Sequence, residues 1–69
     1  MNVYLVFTSR FGVSHFDSAF CSKKKSVARA RKAFGVTVKE SSWLSDVSVT
    51  ETGSDSGVDN IVILKQPVE

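Results

Sequence analysis

The hydrophobic pattern opens with a run that is apolar on both sides. In residues 3–9, Val3, Leu5 and Phe7 alternate with Tyr4, Val6 and Thr8. Period-two alternation with apolar groups on both faces predicts a central strand covered, at least in part, on each side. Arg10, Phe11 and Gly12 predict a turn, with Gly12 free to take a positive φ. Residues 13–21 resume the extended pattern as the second arm of a hairpin. Alternation there groups Phe16 and Phe20 with Ser14 and Ser18 on the inward face. It leaves Val13, His15, Asp17, Ala19 and Cys21 on the other face.

The period then changes from two to 3.6. Ser22 is a good N-cap, and residues 23–34 contain no Gly and no Pro. Val27, Ala30 and Phe34 recur at i, i+3 and i+7 as one helical stripe, with Ala33 beside it. Gly35 follows as a stop signal. Lys25, Arg29 and Lys32 fall together on the opposite side of this helix, within about 60° of arc at 100° per residue.

Past the helix the signal is mixed. Val36, Thr37 and Val38 suit a short strand, and Ser41, Ser42, Trp43 and Leu44 suit a loop with an apolar plug. Residues 46–52 alternate, which predicts a strand with Val47 and Val49 inward and Asp46, Ser48, Thr50 and Thr52 outward. Gly53, Ser54, Asp55, Ser56 and Gly57 are turn residues. Residues 58–65 carry Ile61, Val62, Ile63 and Leu64, apolar on both faces, and Pro67 closes this second interior-type strand.

The order strand, strand, helix, strand, strand predicts one α+β domain over residues 1–69: an antiparallel sheet of about four strands with one helix packed on one face. The two doubly apolar strands, 3–9 and 58–65, are candidates for neighbours in its middle.

Charge changes the picture. The net charge of the 69 residues is +2. Residues 1–34 carry Arg10, Lys23, Lys24, Lys25, Arg29, Arg31 and Lys32 against Asp17 alone, a net of +6. Residues 35–69 carry Lys39 and Lys65 against Glu40, Asp46, Glu51, Asp55, Asp59 and Glu69, a net of −4. Such asymmetry predicts a directed electrostatic surface. Three lysines in the first turn of a helix oppose its dipole, each at a cost of roughly 0.3–1 kcal/mol. A sequence that breaks a local rule in this way marks a functional candidate. The candidate partner-binding set is Lys23, Lys24, Lys25, Arg29, Arg31 and Lys32. Its first partner is an acidic protein surface, and its second is the phosphates of DNA or RNA. The competing reading is a solvated helix face neutralised by the chain's own acids.

Composition removes much else. At this length only about 60% of the unfolded chain's surface is buried, and the same few side chains must build core and site. That argues against an enzyme. One His and one Cys argue against a metal site, and no cofactor is implied. Asp55, Asp59 and Asn60 lack the twelve-residue calcium-loop pattern. His15 and Asp17 share a face and could pair, while Ser14 falls on the other. The single Cys21 cannot form an internal disulfide, which suggests a reducing, cytoplasmic compartment and a small buried thiol. No segment reads as a signal peptide or membrane span, so no membrane partner is expected. Beginning at Met1 without a linker, the chain reads as a whole small gene product.

The strand Val3-Tyr-Leu-Val-Phe, a turn, and then Phe20-Cys-Ser-Lys-Lys-Lys-Ser-Val-Ala resemble a recurrent pattern in short phage and bacterial proteins. In those a "vYlVf" strand precedes a "gvFsskekAeeyA" segment. The usual acids are replaced here by Lys25 and Ser26, and the resemblance covers the first half of the chain. Length and architecture are also similar to those of small phage-encoded inhibitors of host RNA polymerase, whose acidic surface differs from this basic helix. No motif aligns with these inhibitors, so no functional residue carries over. The resemblance implies a small phage- or mobile-element-type accessory protein, and small size, no catalytic constellation and a basic helix against an acidic C-terminal half predict that it binds and inhibits a host macromolecule, in the host cytoplasm. Self-association is the third expectation: the Ile61–Leu64 run is a hazard unless paired, and an edge beside it would support a homodimer.

Overall fold

The computed structural model describes residues 1–52 and 57–68. Strand β1 (Asn2–Arg10) turns into β2 (Val13–Phe20), and helix α1 (Lys23–Phe34) follows. A single 3-10 turn (Glu40–Ser42) leads into the short β3 (Trp43–Leu44), then β4 (Val47–Glu51) and β5 (Asn60–Pro67). The strands form one antiparallel sheet in the order β2-β1-β5-β4-β3. The fold is α+β, with one helix and five strands rather than about four among the described residues. The extra strand is β3, where the loop with an apolar plug was expected; Trp43 pairs with Ser48 and Leu44 with Val47. Residues 36–38 form no strand. The turn-rich stretch 53–56, with Asp55, lies outside the described residues, as does Glu69.

The doubly apolar strands β1 and β5 are neighbours over eight residue pairs, Asn2–Pro67 through Ser9–Asn60. β5 is therefore paired on both sides, by β1 and β4, and offers no edge for dimerisation. The edges are β2 and the two-residue β3.

Helix α1 starts and stops where its caps dictate. Ser22 Oγ accepts the Lys25 N–H at 3.4 Å. At the other end Gly35 takes φ 69°, and its N–H donates to the Arg31 carbonyl at 3.0 Å. The Val36 N–H donates to the Ala30 carbonyl at 3.3 Å, which folds the chain back and buries Val36 instead of extending it into a strand. The helix buries Ala30 and Ser26 completely, with Val27 and Phe34 packed beside them. Ser26 fills the flank expected of Ala33, which is exposed. The Ser26 hydroxyl is satisfied inside the helix, donating to the Lys23 carbonyl at 2.7 Å.

The core lies between this helix and one face of the sheet. Val6, Ile61 and Ile63 are fully buried there, flanked by Tyr4, Phe20 and Trp43. Cross-strand partners share a face, so Ser18, Ser48 and Thr50 lie on this side too. Two expectations of the alternation pattern are corrected here. In β4, Ser48 is buried and Val49 is 53% exposed, because the register sets Ser48 opposite Ile63 and Val49 opposite Val62. In β2, Val6 pairs with Ser18 but Phe7 pairs with Phe16, so Asp17 is an extra, bulged residue. The bulge moves Phe16 to the face opposite Phe20, where its ring meets Phe7 edge-on at 5.7 Å.

Candidate functional site

The basic helix presents its cations in two different states. Lys23 is held. Its Nζ donates to both carboxylate oxygens of Glu40, at 2.8 and 2.9 Å, and sits 4.5 Å from the centre of the Trp43 ring. The 3-10 turn places Glu40 there, and Trp43 is in turn fixed edge-on against Tyr4 at 6.3 Å. The first-turn cation that most directly opposes the dipole thus has a compensating acid from the acidic half of the chain. Sequence reading missed this pair because Glu40 is 17 residues away, in the segment whose local pattern was mixed.

Arg29 is held as well. Its Nε and one terminal nitrogen donate to the two oxygens of Asp17 at 3.0 and 3.2 Å. The bulge makes this possible by placing Asp17 toward the helix. The Asp17 side chain is 14% exposed and also accepts the Ser18 hydroxyl at 2.7 Å. The Arg29 hydrogen bonds hold the Asp17 carboxyl below its usual value of 3.8, against a weaker upward push from burial, and the same contact raises Arg29. Asp17 is therefore occupied by Arg29 and Ser18 rather than paired with His15, which is exposed on β2 across from Thr8.

Lys24, Lys25, Arg31 and Lys32 are exposed, and no acid lies within ion-pair distance of any of them among the described residues. They occupy about 120° of the helix surface, centred on Ala28 and turned away from the buried stripe. The helix itself contains no acid. Two shallow grooves flank it. One, against the edge strand β2, has Phe20 and Ala28 as its apolar floor and Lys25, Arg29 and Lys32 around it. The other is lined by Lys24, Val27, Val38 and Trp43, with the Lys23–Glu40 pair across it.

Phe11 is 83% exposed at the hairpin tip, where Arg10 lies over its ring at 5.1 Å. Its φ of 52° is a left-handed conformation rare for a bulky residue; its N–H donates to Asp59 at 2.8 Å. Cys21 is exposed rather than buried, since β2 ends one residue before it. Among the described residues, no three His, Cys, Asp or Glu gather as a metal site would require, and no helix is long and apolar enough to cross a membrane. No family model, curated protein or solved structure matches the chain.

Proposed function

We propose that this is a small non-enzymatic accessory protein that binds an acidic protein surface through the outer face of α1 and modulates its target by occupying that surface. One observation carries this reading: Lys24, Lys25, Arg31 and Lys32 form an exposed cationic face with no acid in ion-pair distance among the described residues, while the neighbouring Lys23 and Arg29 are engaged. Cations concentrated on one face speed association with an acidic partner and orient it. The groove beside them adds an apolar floor, Phe20 and Ala28, against which a side chain of the partner would seat. The first-half resemblance to phage and bacterial accessory proteins supports a host protein as the target, in the cytoplasm. Lys23 and Arg29 act in this reading as posts that fix the helix.

Nucleic acid is the second reading, carried by the same four cations. It is weaker because single-stranded recognition stacks bases on aromatic rings beside cations. Here Trp43 is covered by Lys23, Phe16 lies on the far side of the sheet, and the exposed Phe11 with its Arg10 sits at the hairpin tip rather than on the helix face.

The test is capture of proteins from a bacterial lysate by the immobilised chain, with and without nuclease, beside a Lys24→Glu, Lys25→Glu, Lys32→Glu variant. Salt-sensitive, nuclease-resistant capture that the variant loses is the expected result. Equal capture by the variant overturns the helix reading. Capture abolished by nuclease transfers it to DNA or RNA.

A further inference from the structure

The face of the sheet opposite the helix is not a solvent face. Register places Val3, Leu5 and Phe7 of β1 there, with Val62 and Leu64 of β5 beside them. None of these belongs to the core cluster under the helix. Toward the sheet edges, Phe16, Val49 and Leu44 are 59%, 53% and 82% exposed. The one charged side chain that register puts on this face is Glu51, at the end where β4 meets Asn60. The polar residues of this face, Ser9, Asn60 and Glu51 at one end and Gln66 beside Val3 at the other, lie at the ends of the strands, so the apolar surface is continuous across the middle of the three central strands, as at an interaction site.

We propose that this open face packs against the same face of a second copy of the chain, forming a two-sheet sandwich. Three arguments select that occupant. The first is area. Strands about 4.8 Å apart and about 3.3 Å per residue give a five-stranded face of roughly 500–600 Å². Two such faces remove about 1,000–1,200 Å² from water, the lower limit of a stable specific interface. The second is chemistry. The face carries almost no charge with which to select a different partner, whereas an uncharged apolar face is complementary to itself under two-fold symmetry. The third is electrostatics. Sheets stacked about 10 Å apart, with a helix about 10 Å thick outside each, put the two helix axes about 30 Å apart. That is nearly four Debye lengths at physiological salt, about 8 Å each, so the cationic helices do not oppose pairing. The core argues the same way, since small domains often complete an inadequate core by oligomerisation. Here the buried apolar set under the helix is Val6, Ala30, Val36, Ile61 and Ile63.

This inference is independent of the helix reading. Sedimentation equilibrium from low micromolar to near-millimolar concentration tests it, with Phe16→Asp and Val49→Lys as variants checked for native circular dichroism. Both positions are more than half exposed in a single copy, so neither charge is buried in the unpaired protein. The wild type is expected to approach twice its 7.5 kDa mass. Each variant should raise the dissociation constant at least about tenfold, the effect of placing an unpaired charge in an apolar contact. The triple lysine variant should pair like wild type, so failure of one reading does not imply failure of the other. A wild type that stays monomeric throughout overturns the proposal, as do folded variants that pair with wild-type affinity. Binding of monomeric wild type to phosphatidylcholine vesicles assigns the face to a lipid surface and overturns it too. If one variant loses its fold, the other decides; if both do, the wild-type series decides alone.

Discussion

The two faces of one sheet are covered in inverse proportion to their apolarity. The face under α1 mixes Tyr4, Val6, Phe20, Ile61 and Ile63 with the hydroxyls of Ser18, Ser48 and Thr50 and the Lys65 stem. The opposite face carries Val3, Leu5, Phe7, Phe16, Val47, Val49, Val62 and Leu64, yet no element of the described chain lies on it. Burial in a half-covered sheet is thus set by where the helix lands, not by which face is more apolar. The Ser48 hydroxyl shows the cost: its Oγ is buried with no hydrogen-bond partner among the described residues, directly opposite the fully buried Ile63.

The strongest way to break this contrast is to truncate one residue on each side. Ile63→Ala should cost about 3 kcal/mol, a large share of the stability of a domain this small. Val49→Ala, on the open face, should cost less than about 1 kcal/mol in dilute, unpaired protein. Urea midpoints measured at low protein concentration decide, and equal losses would mean that the two faces are buried alike. Ser48→Ala sharpens the contrast from the other direction. Removing an unpartnered buried hydroxyl should raise stability by about 1 kcal/mol, read as a higher urea midpoint at unchanged slope.

The smallest effect concerns the clamp that seats the helix. Arg29 holds the folded-state pKa of Asp17 below 3.8, so the pair contributes fully above the unfolded-state value and is lost as pH falls through the folded one. The wild type should therefore be more stable than Asp17→Asn at pH 7, and the difference should shrink steadily as the pH falls below 3.8. A gap that persists in acid would assign the contribution of Asp17 to packing rather than to charge.

Much of this arrangement was legible in the sequence. Capping residues and a change of period from two to 3.6 located α1 at residues 23–34, and apolarity on both faces brought β1 and β5 together. The face assignments were not legible, for two physical reasons. A bulge inserts one residue and inverts the alternation beyond it; nothing in the local pattern around Asp17 announces one, so Phe16 was assigned to the side of Phe20. Alternation also gives a period without a sign: the pattern of β4 favours its valines inward, and register to β5 turns Ser48 inward instead. The basic helix was visible at once, but not the division of its cations. Lys23 finds Glu40 and Arg29 finds Asp17 only through the tertiary fold.

The helix and the open face of the sheet lie back to back. A pair joined through that open face therefore turns its two cationic helices outward in opposite directions. On the proposed helix reading such an assembly would be divalent, bridging two acidic surfaces instead of capping one. On a multisubunit target or a crowded array, the second contact would form at the high effective concentration set by the first. Below the pairing concentration the same chain would be a single-headed competitor. Its own abundance would then decide whether it crosslinks its target or merely shields it.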